Sequence, residues 1–279
     1  MTVISAVLSR RGIAVATDSL LAVVDPKGEN IHLEWEKSKI IPVPKLRGCI
    51  SYWGFAGVLK KIPKRKESPD WSWNTYDWLK SQSENPKFSN IEDFSNYIRE
   101  NLDNQLCKLN NIKAIHKGIG LHITGIEKID GYAIPELFLV SNFLNPSYQQ
   151  VGELRLSRNT FHTINKVPPS TDHNKKEFRF KVKDFLNQGM LISYNNGDPI
   201  MFNMVSSTIS AGFQIAAQRN VLKKINSVKE IVPIAKRPIE IISLIQKDFY
   251  RLEHRSVGGK IHDLSIDNSG NFNSTSGDY

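Results

Sequence analysis

The chain opens on an alternating, β-branched run, Thr2-Val3-Ile4-Ser5-Ala6-Val7-Leu8, which reads as a strand. Ser9-Arg10-Arg11-Gly12 follows as a tight turn, and Ile13-Ala14-Val15-Ala16-Thr17 returns as a second buried strand that delivers Asp18-Ser19 at its far end. Residues 20 to 38 read as a loop, Lys39 leads into a strand from Ile40 to Val43, and Cys49-Ile50-Ser51-Tyr52-Trp53 makes another. Gly54-Phe55-Ala56-Gly57 then reads as a glycine turn with a helix to follow. Trp71, Trp73, Tyr76 and Trp78 crowd one segment whose Trp71/Trp78/Leu79 spacing fits an amphipathic helix packed on a sheet, a core role favoured over a ligand-stacking platform. Asn90-Ile91-Glu92-Asp93 opens a clearer helix with Phe94, Tyr97, Ile98, Leu102, Leu106 and Leu109 on its apolar face. Strands are predicted at Gly120 to Ile126, Leu137 to Phe143 and Lys260 to Ile266, and helices at Val205 to Asn226 and Pro238 to Leu252.

Two stretches interrupt this order and are read as insertions, 58 to 70 and 145 to 183. The second is broken by Pro168-Pro169-Ser170-Thr171-Asp172, and Phe178, Phe180 and Val182 near its end alternate with charges as a short extra strand would. The segment from Asn268 to Tyr279 is rich in Ser, Asn and Gly and is expected to be a disordered tail, which leaves one domain over 1–267. A length of 279 residues with 40% hydrophobic content is enough for one domain with a substantial core.

Charge and cysteine content narrow the class. The chain holds 37 Lys plus Arg against 28 Asp plus Glu, a net charge of +9, with the densest cluster at Lys60-Lys61-Ile62-Pro63-Lys64-Arg65-Lys66. No nucleic-acid-binding signature accompanies that cluster, so a solvated loop is the favoured reading and a nucleic-acid partner is not expected. Cys49 and Cys107 lie in apolar patterns without metal-ligand spacing, as buried free thiols of a reducing compartment do, and a cytoplasmic location is expected. The apolar start is too short for a signal peptide and its basic residues follow it, and no run approaches the ~18 apolar residues of a membrane span.

The candidate chemistry sits at Thr2, behind Met1. A threonine hydroxyl is a poor nucleophile until a base takes its proton, and a free α-amine on the same residue, with a pKa of about 7.7–8.0, can do so once Met1 is removed. The competing reading of Thr2 is an ordinary strand residue. The predicted hairpin brings Asp18 near the N-terminus, where its carboxylate can hold a lysine ammonium, and that cation lowers the proton affinity of its neighbours. Backbone N–H groups at a glycine turn are what an oxyanion hole uses. Gly-x-Ser-x-Gly, His-Glu-x-x-His and phosphate-loop motifs do not occur, His262-Asp263 reads as structural, and nothing calls for a metal or cofactor.

Taken in order, Thr2, the Gly-Ile-Ala-Val-Ala-Thr-Asp-Ser run at 12 to 19, Lys39-Ile40-Ile41 and Gly-Phe-Ala-Gly at 54 to 57 resemble the proteasome β-subunit-like N-terminal nucleophile hydrolases, which include bacterial proteasome-like peptidases. The resemblance implies an α+β fold, a four-layer αββα sandwich of two antiparallel sheets, and a threonine-type peptidase or amidohydrolase. It implies Thr2 as nucleophile, Asp18 as the orienting carboxylate, Lys39 as the tuning cation with Lys37 as the alternate register, and Gly57 as an oxyanion-hole N–H. A second patch, His254-Arg255-Ser256-Val257-Gly258-Gly259, supplies Ser256 as an auxiliary hydroxyl and Glu253 as the acid three residues before it, with one extra residue between the serine and the glycine pair. Ser206 or Ser207 stands where the family has a further serine. A peptide or protein substrate, a homo-oligomeric ring and an ATP-dependent unfoldase partner are likewise implied. The alternative is a catalytically inactive relative that serves as an assembly or protein-binding subunit.

Overall fold

In the computed structural model the opening hairpin forms as its alternation predicts: β1 (Ile4–Ser9) and β2 (Gly12–Asp18) pair antiparallel, with Ile4 opposite Thr17 and Ser9 opposite Gly12. The structure describes residues 3–35, 37–64, 67–84, 87–144, 150–158, 191–197, 224–250 and 255–275, with scattered positions between 183 and 219. Thr2, Ser206, Glu253 and most of the 145–183 insertion, including the Pro168 to Asp172 break and the alternation around Phe178, lie outside the described residues.

The second half of the chain completes the first sheet. β11 (Ile192–Asn196) pairs with β1, β12 (Ile261–Asp267) pairs with β2, and β13 (Phe272–Asn273) adds to β12, all antiparallel, in the order β11-β1-β2-β12-β13. The segment from Asn268, expected as a disordered tail, therefore turns back onto the sheet as far as the described residues run. Asp267 makes that turn, accepting from the backbone amides of Ser269 and Asn271 at 2.8 and 3.0 Å.

The second sheet departs further from the expected pattern. The 20–38 stretch is a hairpin, β3 (Leu20–Val24) and β4 (Asn30–Glu34), closed by the Asp25 carboxylate, which accepts from the amides of Lys27 and Glu29. β5 (Ile40–Val43) pairs with β6, a continuous strand over Gly48–Lys61 that runs straight through the Gly54–Gly57 segment predicted as a turn, and no helix follows directly. Glycine is needed at 57 because φ is +154° and a Cβ there would sit 2.5 Å from the Trp73 carbonyl oxygen. That close neighbour is β7 (Asp70–Asn74), which carries Trp71 and Trp73 as strand residues, so the aromatic helix begins only at Thr75. β8 (Ile119–Ile129), β9 (Tyr132–Phe143) and β10 (Val151–Arg158) extend the sheet, whose main path is β10-β9-β8-β6-β3-β4. One pair, β3 with β6, is parallel, so the two expected antiparallel sheets are mostly, not entirely, antiparallel.

Helices cover both sheets. α1 (Thr75–Glu84) and α2 (Ile91–Lys108) bury Leu79, Ile91, Phe94, Ile98, Leu102 and Leu106 in a cluster with Ile50, Tyr52, Leu121, Ile123 and Phe138 of the larger sheet. α2 starts where predicted, with the Asn90 side chain accepting from the Asp93 amide at 2.8 Å, and it carries Cys107 on its exposed face, so of the two cysteines expected to be buried only Cys49 is. α3 (Val232–Phe249) begins six residues before its predicted start at Pro238, keeps that proline inside, and packs Val232, Ala235, Ile239 and Ile242 against Val3, Val7, Ala14 and Ala16 of the smaller sheet. A third cluster draws on both sheets: Ala6, Leu8, Ile13, Val15, Leu264 and Ile266 meet Ile40, Cys49, Ile126 and Leu137. The chain is thus α+β with two mostly antiparallel sheets. No helix among the described residues is long and apolar enough to cross a membrane.

Between the sheets one layer is polar. His122, fully buried on β8, lies opposite Ser51 in register and takes a 2.6 Å hydrogen bond at Nε2 from Asn196 Nδ2 of the other sheet. Burial pushes the imidazole down to about 3. The folded chain thus holds His122 neutral while the unfolded chain protonates it near its ordinary value of 6.5. Its contribution to stability is complete above that value and is lost as pH falls from it towards 3, by up to about 1.4 kcal/mol per pH unit. Urea unfolding across this window should show that slope, and His122→Gln should flatten it; an unchanged slope in the variant would assign the acid sensitivity elsewhere.

Candidate active site

The hairpin places Val3 opposite Asp18, one step beyond the Ile4–Thr17 pair, and the two residues are joined twice. The Asp18 amide donates to the Val3 carbonyl at 3.3 Å, and the Val3 amide donates to Asp18 Oδ1 at 3.1 Å. That Val3 nitrogen belongs to the peptide bond formed with Thr2, so the carboxylate is anchored one covalent link from the predicted nucleophilic residue.

Lys39 comes to the same carboxylate from the other sheet. It precedes β5, whose first residue Ile40 pairs with Ser51 of β6, while Asp18 ends β2 of the smaller sheet. Lys39 Nζ lies 2.7 Å from Asp18 Oδ1 and donates to the Leu20 carbonyl at 2.6 Å, and both charged side chains are 0% exposed. Burial pulls the ammonium from its ordinary 10.5 down to about 8, against the Asp18 charge and hydrogen bond that hold it up. Lys37 does not compete for this position: it is exposed, with Nζ 5.6 Å from the Trp35 ring and 5.9 Å from Tyr76. The register is therefore that of Lys39.

The other carboxylate oxygen is held by the C-terminal patch. The Gly258 amide donates to Asp18 Oδ2 at 3.1 Å, the Ser19 amide donates to the Gly258 carbonyl at 3.2 Å, and Ser19 Oγ accepts from the Lys260 amide at 2.8 Å. Gly259 is glycine for a local reason, since φ is +73° and a Cβ would stand 2.2 Å from Ser19 Oγ. Ser256, two residues before Gly258, is bound to Gln246 of α3 at both its amide and its hydroxyl, each at 2.8 Å. Sequence reasoning missed Ser19, Gly258 and Gln246 as members of this cluster. Ser19 and Gly258 adjoin predicted residues, but a glutamine on a helix carries no signal that it will be buried.

Gly57 and Ser207, the other predicted residues that the structure describes, make no hydrogen bond to Asp18. Gly57 lies inside β6, opposite Val23 of β3 and Asn74 of β7, and Val23 is about 10 Å along its strand from Leu20. Ser207 is exposed in a helical stretch. Among the described residues no group of three or more His, Cys, Asp and Glu gathers as metal ligands would.

The arrangement is a buried, fully hydrogen-bonded carboxylate with a partly neutralisable ammonium at the start of the chain. Removing only the cation leaves the carboxylate buried without its counter-charge, a change that costs about 3–5 kcal/mol. Lys39→Met should lower stability by that amount in urea unfolding at pH 7, and a loss under about 1 kcal/mol would mean that the pair is effectively solvated. No family model matches the chain and no curated protein matches it in sequence, so a functional conclusion has to come from the residues around Asp18.

Proposed function

We propose that the chain is an N-terminal threonine peptidase or amidohydrolase of the proteasome-like type, built on a four-layer αββα sandwich with Thr2 as nucleophile after removal of Met1. The observation that carries the reading is the Asp18 carboxylate, bound at once to the amide that follows Thr2 and to the buried Lys39 ammonium. An ammonium has three donors, two of which go to Asp18 and Leu20; the third is the one that would meet the Thr2 hydroxyl.

The proposed reaction begins with transfer of the Thr2 hydroxyl proton to the α-amine as Oγ attacks the substrate amide carbonyl. The oxyanion needs a backbone N–H donor, a role for which Gly57, paired inside β6, is not placed beside Asp18, and collapse breaks the C–N bond while the α-ammonium protonates the leaving amine. Water, deprotonated by the same amine, then cleaves the acyl ester and restores Thr2. Lys39 keeps a positive charge beside the amine and favours its unprotonated form, Asp18 orients Lys39, and Ser256 supports the site with its hydroxyl. The substrate class is a peptide or protein amide. A homo-oligomeric ring, an ATP-dependent unfoldase partner and a cytoplasmic setting belong to the same proposal.

One observation favours the second reading, an inactive assembly or protein-binding subunit. Gly57 is flanked by strands on both sides, and the approach of Trp73 already accounts for its being glycine. A non-catalytic relative would keep the Asp18–Lys39 pair for its structural role alone.

Intact-mass measurement before and after exposure to a threonine-reactive β-lactone separates the two. The expected result is loss of Met1 and one adduct that is absent from Thr2→Ala, with peptide turnover by that variant reduced at least ~10³-fold. The adduct should form faster as the amine loses its proton, then more slowly above pH about 8 as Lys39 loses its own. Retained Met1 with no adduct would establish the binding-subunit reading.

A further inference from the structure

We infer that Gln246 is a positioning residue of this site, setting the direction of the Ser256 hydroxyl and, through Val257 and Gly258, the seat of the Asp18 carboxylate. The inference rests on the threonine-hydrolase reading for its catalytic consequence, though its geometric part stands on contacts alone.

Gln246 lies near the end of α3 and is 0% exposed, an uncommon place for an amide unless its groups are paired. Its Oε1 accepts from the amides of Ser256 and Val257 at 2.8 and 2.9 Å, and its Nε2 donates to Ser256 Oγ at 2.8 Å. The two backbone bonds fix the loop immediately before Gly258, whose amide grips Asp18 Oδ2 and whose carbonyl takes the Ser19 amide. The side-chain bond does something different. Because Nε2 can only donate, Ser256 Oγ is the acceptor in that contact, and the serine's own hydrogen is turned away from Gln246.

A second tie to the same loop serves as a control. Arg255 donates from Nη2 to the Lys247 carbonyl at 2.9 Å and from Nε to the Tyr250 carbonyl at 3.4 Å, fastening the loop to the end of α3 without touching Ser256 Oγ. Among the described residues, the charged groups that this chain of contacts reaches are Arg255 and, beyond Gly258, Asp18 with Lys39.

The test is Gln246→Glu, which keeps the size and both backbone bonds but inverts the hydroxyl contact only when ionised. While protonated, the substituted carboxyl group still donates to Ser256 Oγ, whereas its carboxylate form must accept from it. With folding verified by thermal melting, the pH profile of β-lactone labelling should match wild type at low pH and fall at least ~10-fold through a new midpoint above the ordinary carboxylate range, which burial raises. Arg255→Ala should show no such limb. In Gln246→Leu the loop loosens, Asp18 loses its Gly258 donor and water reaches Lys39, so the Lys39 midpoint followed by NMR should move up from about 8. Profiles of both Gln246 variants that superimpose on wild type, with the Lys39 titration unmoved, would overturn the inference. If wild type itself forms no adduct, the hydrolase reading fails by that result, and the Lys39 titration in Gln246→Leu still decides whether Gln246 seats Asp18.

Discussion

The buried Asp18–Lys39 pair is the constraint on which the arrangement of the two sheets depends. Each partner comes from a different sheet, and neither is solvated. Taking both ions out of water carries a penalty that their mutual attraction offsets only when the remaining lone pairs and protons are also bonded. Asp18 meets that condition with the Val3 amide and Lys39 on one oxygen and the Gly258 amide on the other. Lys39 meets it in part, with a second proton given to the Leu20 carbonyl, which is itself positioned by the β3 pairing. The pair therefore fixes the chain start, the head of β3, the approach to β5 and the loop before β12 relative to one another.

Its location explains the division of the space between the sheets. Away from the pair the gap is filled by aliphatic side chains, Ala6, Leu8, Ile13 and Val15 against Ile40, Cys49 and Leu137. Towards it the same strands supply Thr17, Ser51 and His122 instead. Ser51 Oγ, Thr17 Oγ1 and His122 Nδ1 are buried without a hydrogen-bond partner among the described residues. Unpaired buried donors are destabilising in proportion to their desolvation, so this band weakens the packing between the sheets where the aliphatic layer strengthens it. A fold selected for stability alone would fill these positions with Val or Leu. Thr17, Ser51 and His122 stand at the end of the gap that holds Asp18, next to the buried ion pair.

Sequence reasoning succeeded where one local rule acted alone. The β1–β2 hairpin followed from alternation and a glycine turn, which by itself carried Asp18 to the chain start, and Asn90 announced the start of α2 through its capping side chain. It failed where two rules competed. β4 alternates Asn30, His32 and Glu34 with Ile31 and Leu33, and the polar half of an exposed edge strand resembles a loop. Gly54 to Gly57 resembled a turn because glycine punctuates most chains, yet here glycine admits the close approach of another strand. The parallel β3–β6 pair is a tertiary outcome with no local signature, and Gln246 looks like any surface glutamine until the loop folds over it.

Whether the pair is structural or catalytic turns on what else could occupy its place. A buried ion pair kept only for packing is replaceable by apolar side chains of similar volume with little loss or even a gain. Such a replacement here would orphan the amides of Val3 and Gly258 as well, because both bind the carboxylate rather than one another. The backbone at the chain start and the loop before β12 have thus been shaped around a negative charge, not merely around a volume. A carboxylate buried there needs a counter-charge as well as those two amides, and a lysine from the opposite sheet supplies it. Burial has drawn that lysine down to about 8, where it gives and takes protons near the range of an α-amine. A cation drawn down in this way can serve the proposed terminal amine only below that value, while it still carries its charge.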